Sequence, residues 1–600
     1  MRKMNQLLVM PRIVDRAGEW YVFPLGIPYV SSSLKKEGFN VYTLNLNNIE
    51  GYIEDILRKE IKEKEIDILL TGGLTSQYNL IKPIISTAKN IKQDIITIVG
   101  GGIITSAPEA AMEALEFVDY GVIGEGEITN CKLHHALENN EDIGKIDGII
   151  YRKNGSYCIT NPREEIQNLD DIPFPDYKGF DFDKIMDIGA NFNGMNETNT
   201  VTMISSRSCP FQCTFCFHTN GKKYRQRSLD NFFKELDYLV EEYGVKYLLI
   251  ADELFANNMK RVKEFCDRIK KYNIKWAAQF RVSDITSELV NLVKGSNCAI
   301  IQFGLESADN RILKSMKKYI TIEQIESALK IVYDAGITIQ GNFIFGDAEE
   351  TLETANNTLK WWREHIHYGI SLNFITIYPG TELYKNACDK GLIEDEIEYI
   401  KQGCLSINVS KMSDKERAWL SEQIVTLPNQ EPQSIENINL DYANGIISLQ
   451  GCCVSCNTKN IWGNIKMFTR NVLTCNKCGK RHKIPVMYEV TSTIDRNVEI
   501  LLEKYDRIAF WGINDFFSDF SKHLNSVLSD SIYYVDDTQM KQGSRISGKV
   551  IYSPEIIKEK NIKLVIVPVR SIFTIIEQRV ESDFKNVKTT KSILDLINCD

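Results

Sequence analysis

Thr200-Val-Thr-Met-Ile-Ser-Ser206-Arg-Ser-Cys209-Pro-Phe-Gln-Cys213-Thr-Phe-Cys216-Phe-His218 decides the reading of this chain. Its opening residues are β-branched and apolar, as in a buried strand. Three thiols follow at spacings of four and three. Thiolates converging from one loop hold three irons of a 4Fe–4S cube and leave the fourth iron open to a ligand. Zinc would need a fourth ligand, which His218 could supply, so that alternative stands beside the cluster. Phe215 and Phe217 would shield the site, or are simply core.

Outward from this loop, residues 200–385 repeat strand–helix units. Strands are predicted at Thr200–Ser206, Lys246–Asp252, Lys275–Arg281, Ala299–Glu306, Thr338–Phe345 and Ser371–Tyr378, with helical patterns such as Leu229–Tyr243, Met259–Tyr272 and Ile322–Ala335 between them. Six βα units suit a partial (β/α)6 barrel over residues 200–410, with its site at the C-terminal mouth of the strands. Upstream, residues 1–150 alternate apolar runs (Leu7–Met10, Asn40–Leu46, Ile66–Thr71, Ile95–Gly100) with amphipathic stretches (Ile27–Glu37, Ile53–Glu63, Leu80–Ile91). That period predicts an α/β domain with a doubly wound parallel sheet, and a ligand crevice beyond the carboxyl ends of its strands. The Pro-punctuated stretch Asp170–Tyr177 marks a linker over residues 151–199. Beyond the barrel we expect a helical linker (residues 411–449), a four-cysteine module (450–485) and a Rossmann-like α/β domain (495–600).

Six hundred residues exceed the ~250–300 of a single core. The hydrophobic share of 43% and charged share of 25% are globular values. A net charge of −9 argues against a general grip on nucleic acid. No apolar run approaches the ~18–20 residues that span a bilayer. Leu7–Met10 is too short for a signal segment and reads as a first strand, so a cytoplasmic protein is expected. Seven of 15 cysteines cluster in two groups. In a reducing compartment such groups bind metal or do redox chemistry. Cys131, Cys158, Cys266, Cys298, Cys388, Cys404, Cys452 and Cys599 read as small buried hydrophobes.

The C-x-x-x-C-x-x-C motif after a first barrel strand, with an aromatic before the last cysteine, resembles the radical S-adenosylmethionine superfamily. Further segments match in strand order. Ala251-Asp252-Glu253-Leu-Phe255 is similar to the acidic turn that meets the cofactor's ammonium. Gly304-Leu-Glu306-Ser307 is similar to the family's Gly-x-Glu-Ser. Gly341-Asn-Phe-Ile-Phe-Gly346 resembles the motif beside the adenine, and Tyr378-Pro379-Gly380-Thr381-Glu382 the barrel-closing segment. The resemblance implies a cluster on Cys209, Cys213 and Cys216, and S-adenosylmethionine held by Asp252, Glu253, Glu306, Ser307 and Gly341. It also implies reductive cleavage of that cofactor to a 5′-deoxyadenosyl radical, and an external one-electron donor such as flavodoxin or ferredoxin. Asp347-Ala348 departs from the family's apolar residue and proline, which leaves the shape of that loop open.

An α/β domain ahead of such a barrel resembles the cobalamin-binding subclass. The matching segments are Pro24–Leu34, Gly72-Gly73-Leu-Thr75-Ser76, Gly100-Gly101-Gly102 and Gly124-Glu125-Gly-Glu127. The resemblance assigns cobalamin contacts to Gly72, Gly73, Thr75, Gly101, Gly102, Gly124 and Glu125; the alternative is ordinary glycine turns. No histidine precedes His134, so the lower-ligand motif Asp-x-His-x-x-Gly of mutases is missing. A weak or absent lower ligand would leave a cobalt-bound methyl group readier for transfer.

Cys453-Val-Ser-Cys456, eighteen residues, and Cys475-Asn-Lys-Cys478 form C-x2-C-x18-C-x2-C. Two such knuckles suit tetrahedral zinc in a ribbon; a second iron–sulfur site is the rival, and Cys452 could compete as ligand. The surroundings look poor in large apolar side chains, so metal is expected to hold this module together. The last unit enters through Trp511-Gly512 but lacks Gly-x-Gly-x-x-Gly, and Phe516 and Phe517 stand where phosphates would need backbone access. A nonbinding domain is the expectation, with Val535-Asp536-Asp537 the only candidate for a ribose.

The combined reading is a radical S-adenosylmethionine enzyme, a cobalamin-dependent methyltransferase acting on an unactivated carbon of a small molecule. A cyclase, oxidase or rearrangement enzyme using the same cofactors is the alternative. A noncatalytic iron–sulfur and zinc scaffold or sensor is the alternative of another class. A protein or carrier contact through the C-terminal modules is a further expectation.

Overall fold

The structure is a computed structural model that describes residues 3–14, 17–186, 188, 190–192, 195–197, 199–256, 258–430, 434–443, 445–467 and 472–597. Cys599 lies outside them. The chain divides into two compact units. One comprises Met1–Ile188, Thr198–Phe280 and Ile377–Cys404; the other comprises Gly189–Glu197, Arg281–Thr376 and Leu405–Asp600.

The first unit opens with strands β1 (Asn5–Met10), β2 (Asn40–Asn45), β3 (Ile68–Gly72), β4 (Ile96–Gly100) and β5 (Tyr120–Val122), all parallel, in the order β2-β1-β3-β4-β5. Leu7 and Val9 alternate with Leu8, so each strand feeds both faces. Leu7, Val9 and Leu69 are buried with Leu57 and Ile61 of helix Ile53–Glu63, and with Ile84 and Ala88 of helix Tyr78–Ile91. Helices Gly26–Lys36 and Gly126–Asn139 lie side by side elsewhere on the sheet. This is the doubly wound arrangement read from periodicity.

The boundary at residue 150 falls too early. Strands β6 (Ile149–Lys153) and β7 (Ser156–Ile159) form a hairpin that continues the same sheet antiparallel to β5. Its turn, Asn154-Gly155, has both residues at positive φ, as a tight hairpin requires. Further along the expected linker, Ile166, Leu169 and Ile172 pack with Tyr29.

Three strands of the barrel segment also belong to this unit: β8 (Thr200–Met203), β9 (Tyr247–Ile250) and β10 (Lys275–Phe280), parallel and every residue of β8 and β9 buried. Helix Leu229–Tyr243 starts where the Ser228 side chain accepts from the Asn231 N–H.

The second unit holds the other three, β11 (Cys298–Glu306), β12 (Thr338–Phe345) and β13 (Ser371–Phe374), again parallel. All six predicted barrel strands are therefore present.

The segment 411–449 corrects the sequence expectation. Among its described residues only Asp414–Thr426, with a short 3-10 turn after it, is helical. Strands β14 (Ile435–Ala443), β15 (Ile446–Cys453) and β16 (Lys459–Lys466) form an antiparallel sheet that carries the first cysteine pair. The spacing of Ile435, Leu440 and Tyr442 among polar residues is a strand pattern hidden by a high Asn content.

Strands β17 (Ile508–Trp511), β18 (Ile532–Val535), β19 (Arg545–Ile546), β20 (Lys549–Tyr552), β21 (Leu564–Val567) and β22 (Thr589–Ser592) make the last sheet, in the order β19-β20-β18-β17-β21-β22. All pairings are parallel except the β19–β20 hairpin. Leu449, Trp462, Ile465 and Leu473 share one core with Val490, Ile508 and Phe510. The four-cysteine segment is thus not apolar-poor where it matters, and it is not a separate module. Trp462 closes it onto the last domain.

Candidate active site

At the carboxyl ends of β1, β3, β4 and β5 the first sheet opens into a crevice of about 1400 Å³, counted out to its mouth. Leu8, Leu70, Ile98 and Val122 form its strand side, and Tyr29 and Val30 come from helix Gly26–Lys36. This is where an open parallel sheet binds ligands, beside the reversal of strand order between β1 and β3.

The glycines of the crevice are not equivalent. A Cβ on Gly72 would stand 2.5 Å from the Gly100 carbonyl oxygen, and one on Gly101, at φ +85°, 2.8 Å from that of Gly73. These two are glycine because the β3 and β4 turns touch backbone to backbone, with Gly73 N–H donating to Gly100 and Ile103 N–H to Gly73. Gly124 differs: at φ +76° it has nothing within 4 Å of a built Cβ, and it lines the crevice, so its open side adjoins space rather than protein. Gly73 and Gly102 line the crevice, whereas Thr75 turns its hydroxyl to Ser106 at 3.1 Å.

Glu125 lines the crevice, but its carboxylate is engaged. Arg207 Nη1 donates to Glu125 at 2.7 Å and Arg207 Nη2 to Glu127 at 2.5 Å. Arg225 Nη1 and the Ile166 N–H take the other Glu125 oxygen, at 2.8 and 2.7 Å. Every side chain of this quartet is at most 8% exposed. Sequence reading missed the network, whose partners lie 80 or more residues apart. Two acidic residues in one glycine-rich turn, Glu125 and Glu127, were the available signal.

Arg207 leads directly into the cysteine loop. Ser206–Arg207 pairs antiparallel with Arg225–Gln226, which closes the neck of residues 208–224. Within the loop the Cys216 N–H donates to the Cys213 carbonyl at 3.1 Å, so the second and third thiols share one turn. Cys209 and Cys213 are half-buried and Cys216 is exposed. The loop is held from three sides. The Leu383 N–H donates to the Thr214 carbonyl at 2.9 Å. Phe217 lies against Gly380, where a Cβ would come 2.7 Å from its ring, so this glycine at φ +80° gives the aromatic its seat. His218 Nδ1 meets Glu253 at 3.1 Å, and that hydrogen bond raises the imidazole's pKa.

The two acidic residues after β9 divide in role. Asp252 is buried: one carboxylate oxygen accepts the Ser205 and Ser206 N–H groups at 2.6 and 3.1 Å, the other the Ser205 hydroxyl at 2.6 Å. Burial pushes its pKa up against those bonds. Glu253 is 37% exposed and reaches outward. Asp252 therefore ties β8 to β9, whereas Glu253 is partly exposed and engaged by His218.

In the second unit Glu306, at φ +64°, pairs with Lys318 Nζ at 2.7 Å. A Cβ on Gly304 would meet Glu306 Oε1 at 2.3 Å, which accounts for the glycine of Gly-x-Glu-Ser. The Ser307 hydroxyl bonds Thr358 at 3.0 Å and accepts the Asp309 N–H at 3.1 Å. Gly341 leaves space for Ile370 and Leu305, each 2.7 Å from a built Cβ. The departure at Asp347-Ala348 is self-supporting: Asp347 accepts the Ser315 hydroxyl at 2.6 Å and the Glu349 N–H at 2.9 Å. Glu350 buries its carboxyl against the Gly346 N–H, and burial pushes its pKa up to about 8.

Cys453, Cys456, Cys475 and Cys478 bring their sulfurs within 4.8 Å of one another. The sulfurs of Cys453 and Cys478 are 3.7 Å apart, those of Cys456 and Cys475 3.5 Å. A tetrahedron with metal–sulfur bonds of about 2.3 Å has edges of about 3.8 Å, so the set fits one four-coordinate ion. A cubane, with each thiolate on its own iron, would need them further apart. Cys452 is outside the group, within β15 opposite Glu436 and Lys459. The second knuckle rests on the amino ends of barrel strands. Thr338 Oγ1 donates to the Gly479 carbonyl at 3.2 Å, and Arg481 Nη1 to Gly369 at 2.5 Å.

Comparison with known proteins gives the family. The Radical SAM superfamily matches residues 203–361 and the B12 binding domain residues 12–134. An uncharacterized methyltransferase of Pyrococcus horikoshii is 32% identical over 409 residues, 66% of this chain and 85% of that protein. The chain belongs to the cobalamin-binding radical S-adenosylmethionine enzyme family. The anaerobic magnesium-protoporphyrin IX monomethyl ester cyclase of Rubrivivax gelatinosus is 27% identical over 64% of this chain and 69% of its own. Among solved structures, the radical S-adenosylmethionine methyltransferase TsrM of Kitasatospora setae, with cobalamin and a 4Fe–4S cluster, shares the fold at TM-score 0.54 and 17% identity, covering 65% of this chain and 75% of its own. The family resemblance read from the cysteine loop and the glycine turns is borne out. No histidine lines the crevice among the described residues. His134 is buried with Nδ1 on the Asn130 carbonyl at 2.7 Å. No helix of the described residues is long and apolar enough to cross a membrane.

Proposed function

We propose that the chain is a cobalamin-dependent radical S-adenosylmethionine methyltransferase acting on an unactivated carbon of a small-molecule intermediate. The observation that carries this reading is a shared wall: Thr219 and Asn220, at the end of the cysteine loop, line the crevice of the first sheet. A ligand filling that crevice touches the loop that would carry the cluster.

The residues present fit the groups this function needs. Cys209, Cys213 and Cys216 would hold the cluster, and Glu253 the amino group of S-adenosylmethionine. The open side of Gly124 would admit a corrin to the backbone. When bound, the cluster supplies the electron that cleaves S-adenosylmethionine, and cobalamin the methyl group delivered to carbon. The chain's part is placement. Leu383 and Gly380 hold the loop, Asp252 fixes the strand end beneath it, and the apolar strand side of the crevice excludes water.

Cys453, Cys456, Cys475 and Cys478 would bind zinc in a ribbon that braces the amino ends of β12 and β13, the face of a barrel concerned with stability rather than chemistry. The last sheet reads as a Rossmann-like domain without a dinucleotide. A Cβ on Gly512 would stand 2.6 Å from Ile572 Cδ1, so that turn is filled. Asp536 is engaged by the Ile513 N–H and Lys541, and Asp537 by Trp511 and Arg579. A reductant such as flavodoxin or ferredoxin and a reducing cytoplasm complete the reading.

The test is anaerobic turnover of the full chain loaded with iron, sulfide and cobalamin, given S-adenosylmethionine, dithionite and candidate small molecules. Cobalamin-dependent formation of both 5′-deoxyadenosine and S-adenosylhomocysteine is expected. Loaded protein that forms neither refutes the reading. The cyclase name of the Rubrivivax relative favours a second one, which 5′-deoxyadenosine without S-adenosylhomocysteine would identify.

A further inference from the structure

Two ion-paired arginines bracket the cysteine loop, and no ligand-binding role accounts for them. Arg207 stands two residues before Cys209, and Arg225 closes the neck from the far side. Both guanidinium groups point to the Glu125–Glu127 turn after β5, which lines the crevice. The returning strand of the loop is tied to the same point: the Asn220 carbonyl accepts from Arg225 Nη2 at 2.5 Å and from the Ser208 hydroxyl at 3.0 Å. Ser208 holds φ +67° and is fully buried, so its backbone sits in a conformation that serine takes only when its surroundings enforce it.

Buried ion pairs are a poor way to gain stability, since desolvation offsets most of the attraction. What they give is direction. Arg207 spans two carboxylates with separate N–H groups, which fixes orientation as an apolar contact would not. An apolar contact would have sufficed merely to glue the loop down.

We propose that Arg207 and Arg225 are positioning residues that make the cysteine loop and the crevice floor one rigid part, so that occupancy of the crevice restrains the three thiols. This rests on the reading of the crevice as the cobalamin site. Through the quartet, and through Thr219 and Asn220 in the crevice wall, a bound corrin holds the loop in its ordered form.

The experiment uses the full chain, iron-free and anaerobic. The rate of iodoacetamide alkylation at Cys209, Cys213 and Cys216 is followed by peptide mapping, with and without saturating hydroxocobalamin. Protection of at least fivefold is expected in the native protein, within the usual range of coupling between sites. In Arg207→Gln it is expected to fall below twofold at saturation, and Arg207→Lys, which keeps charge but not the two-carboxylate span, is expected to recover only part of it. Glu127→Gln breaks one arm and keeps the Glu125 pair, and serves where Arg207→Gln does not fold; it too is expected to lose most of the protection. Equal protection in native protein and folded variants overturns the proposal, as does no protection in native protein that binds cobalamin. Native protein that binds no cobalamin overturns instead the functional reading on which the proposal rests.

Discussion

Replacing Asp252 separates a residue that holds the fold from one that holds a ligand. Its carboxylate accepts three donors: the Ser205 and Ser206 N–H groups at one oxygen and the Ser205 hydroxyl at the other. Asp252→Ala leaves two buried N–H groups without acceptors. At about 1–3 kcal/mol for each, plus the lost hydroxyl bond, the cost is about 3–6 kcal/mol. Set against a typical ~5–15 kcal/mol of total stability, that is severe. At ~2–4 °C per kcal/mol the melting midpoint should fall by roughly 6–24 °C. Asp252→Asn is the sharper probe. Its Oδ1 can keep both N–H bonds and its Nδ2 can donate to the Ser205 oxygen, so stability should stay within about 1 kcal/mol of native. Glu253→Gln should leave the midpoint unchanged and weaken S-adenosylmethionine tenfold or more, because Glu253 is the exposed partner of the two. The assays are thermal unfolding by circular dichroism and equilibrium dialysis with labelled S-adenosylmethionine. An Asp252→Asn protein that melts like native but loses S-adenosylmethionine tenfold would refute the division of roles.

Three other expectations can be measured directly. Glu350 is protonated in the folded chain up to about pH 8 and ionised in the unfolded chain above its ordinary ~4.3, so unfolding releases a proton between those values. Its stabilising contribution is full below ~4.3 and is lost as pH rises through about 8. Glu350→Gln should therefore flatten the decline of the melting midpoint between pH 5 and 8, and an unchanged slope would count against it. Gly72→Ala should cost about 1–3 kcal/mol, because its Cβ meets backbone at 2.5 Å. Gly124→Ala should cost about 1 kcal/mol and lower hydroxocobalamin affinity, since its Cβ enters open space; equal affinities in titration would sink the distinction. Stripping metal with a chelator should open Cys453, Cys456, Cys475 and Cys478 to alkylation with little change in far-ultraviolet circular dichroism, because Trp462 and Leu449 stay in the shared core. Loss of the whole C-terminal signal would contradict that.

Much of this was legible from local pattern. The six barrel strands and four of the five parallel strands of the first sheet follow from apolar periodicity, and the two cysteine groups from spacing alone; the three-residue strand Tyr120–Val122 is too short to show a period. The β14 and β15 strands escaped notice because Asn and Asp diluted their alternation, and the β6–β7 hairpin because a proline-rich stretch drew the boundary. Glycines could be counted but not sorted: Gly72 and Gly124 look alike in sequence, and only the neighbouring backbone tells a packing glycine from an open one. Asp252 and Glu253 are adjacent acids told apart only by Ser205 and Ser206, which claim the first, and by His218, which meets the second. Pairings such as Arg207 with Glu125 depend on tertiary closure, which no single window contains.

The seat of the second knuckle at Thr338 has a practical use. Thr338 is the first residue of β12 and Phe345 the last, so roughly 23 Å of strand separates that seat from the carboxyl end. Cobalt(II) or another paramagnetic ion exchanged into the four thiolates would be a spin label at a fixed distance from the carboxyl end of β12. Nuclear relaxation measured from it would gauge how near a bound organic molecule comes to that strand, with no label attached to the strand itself.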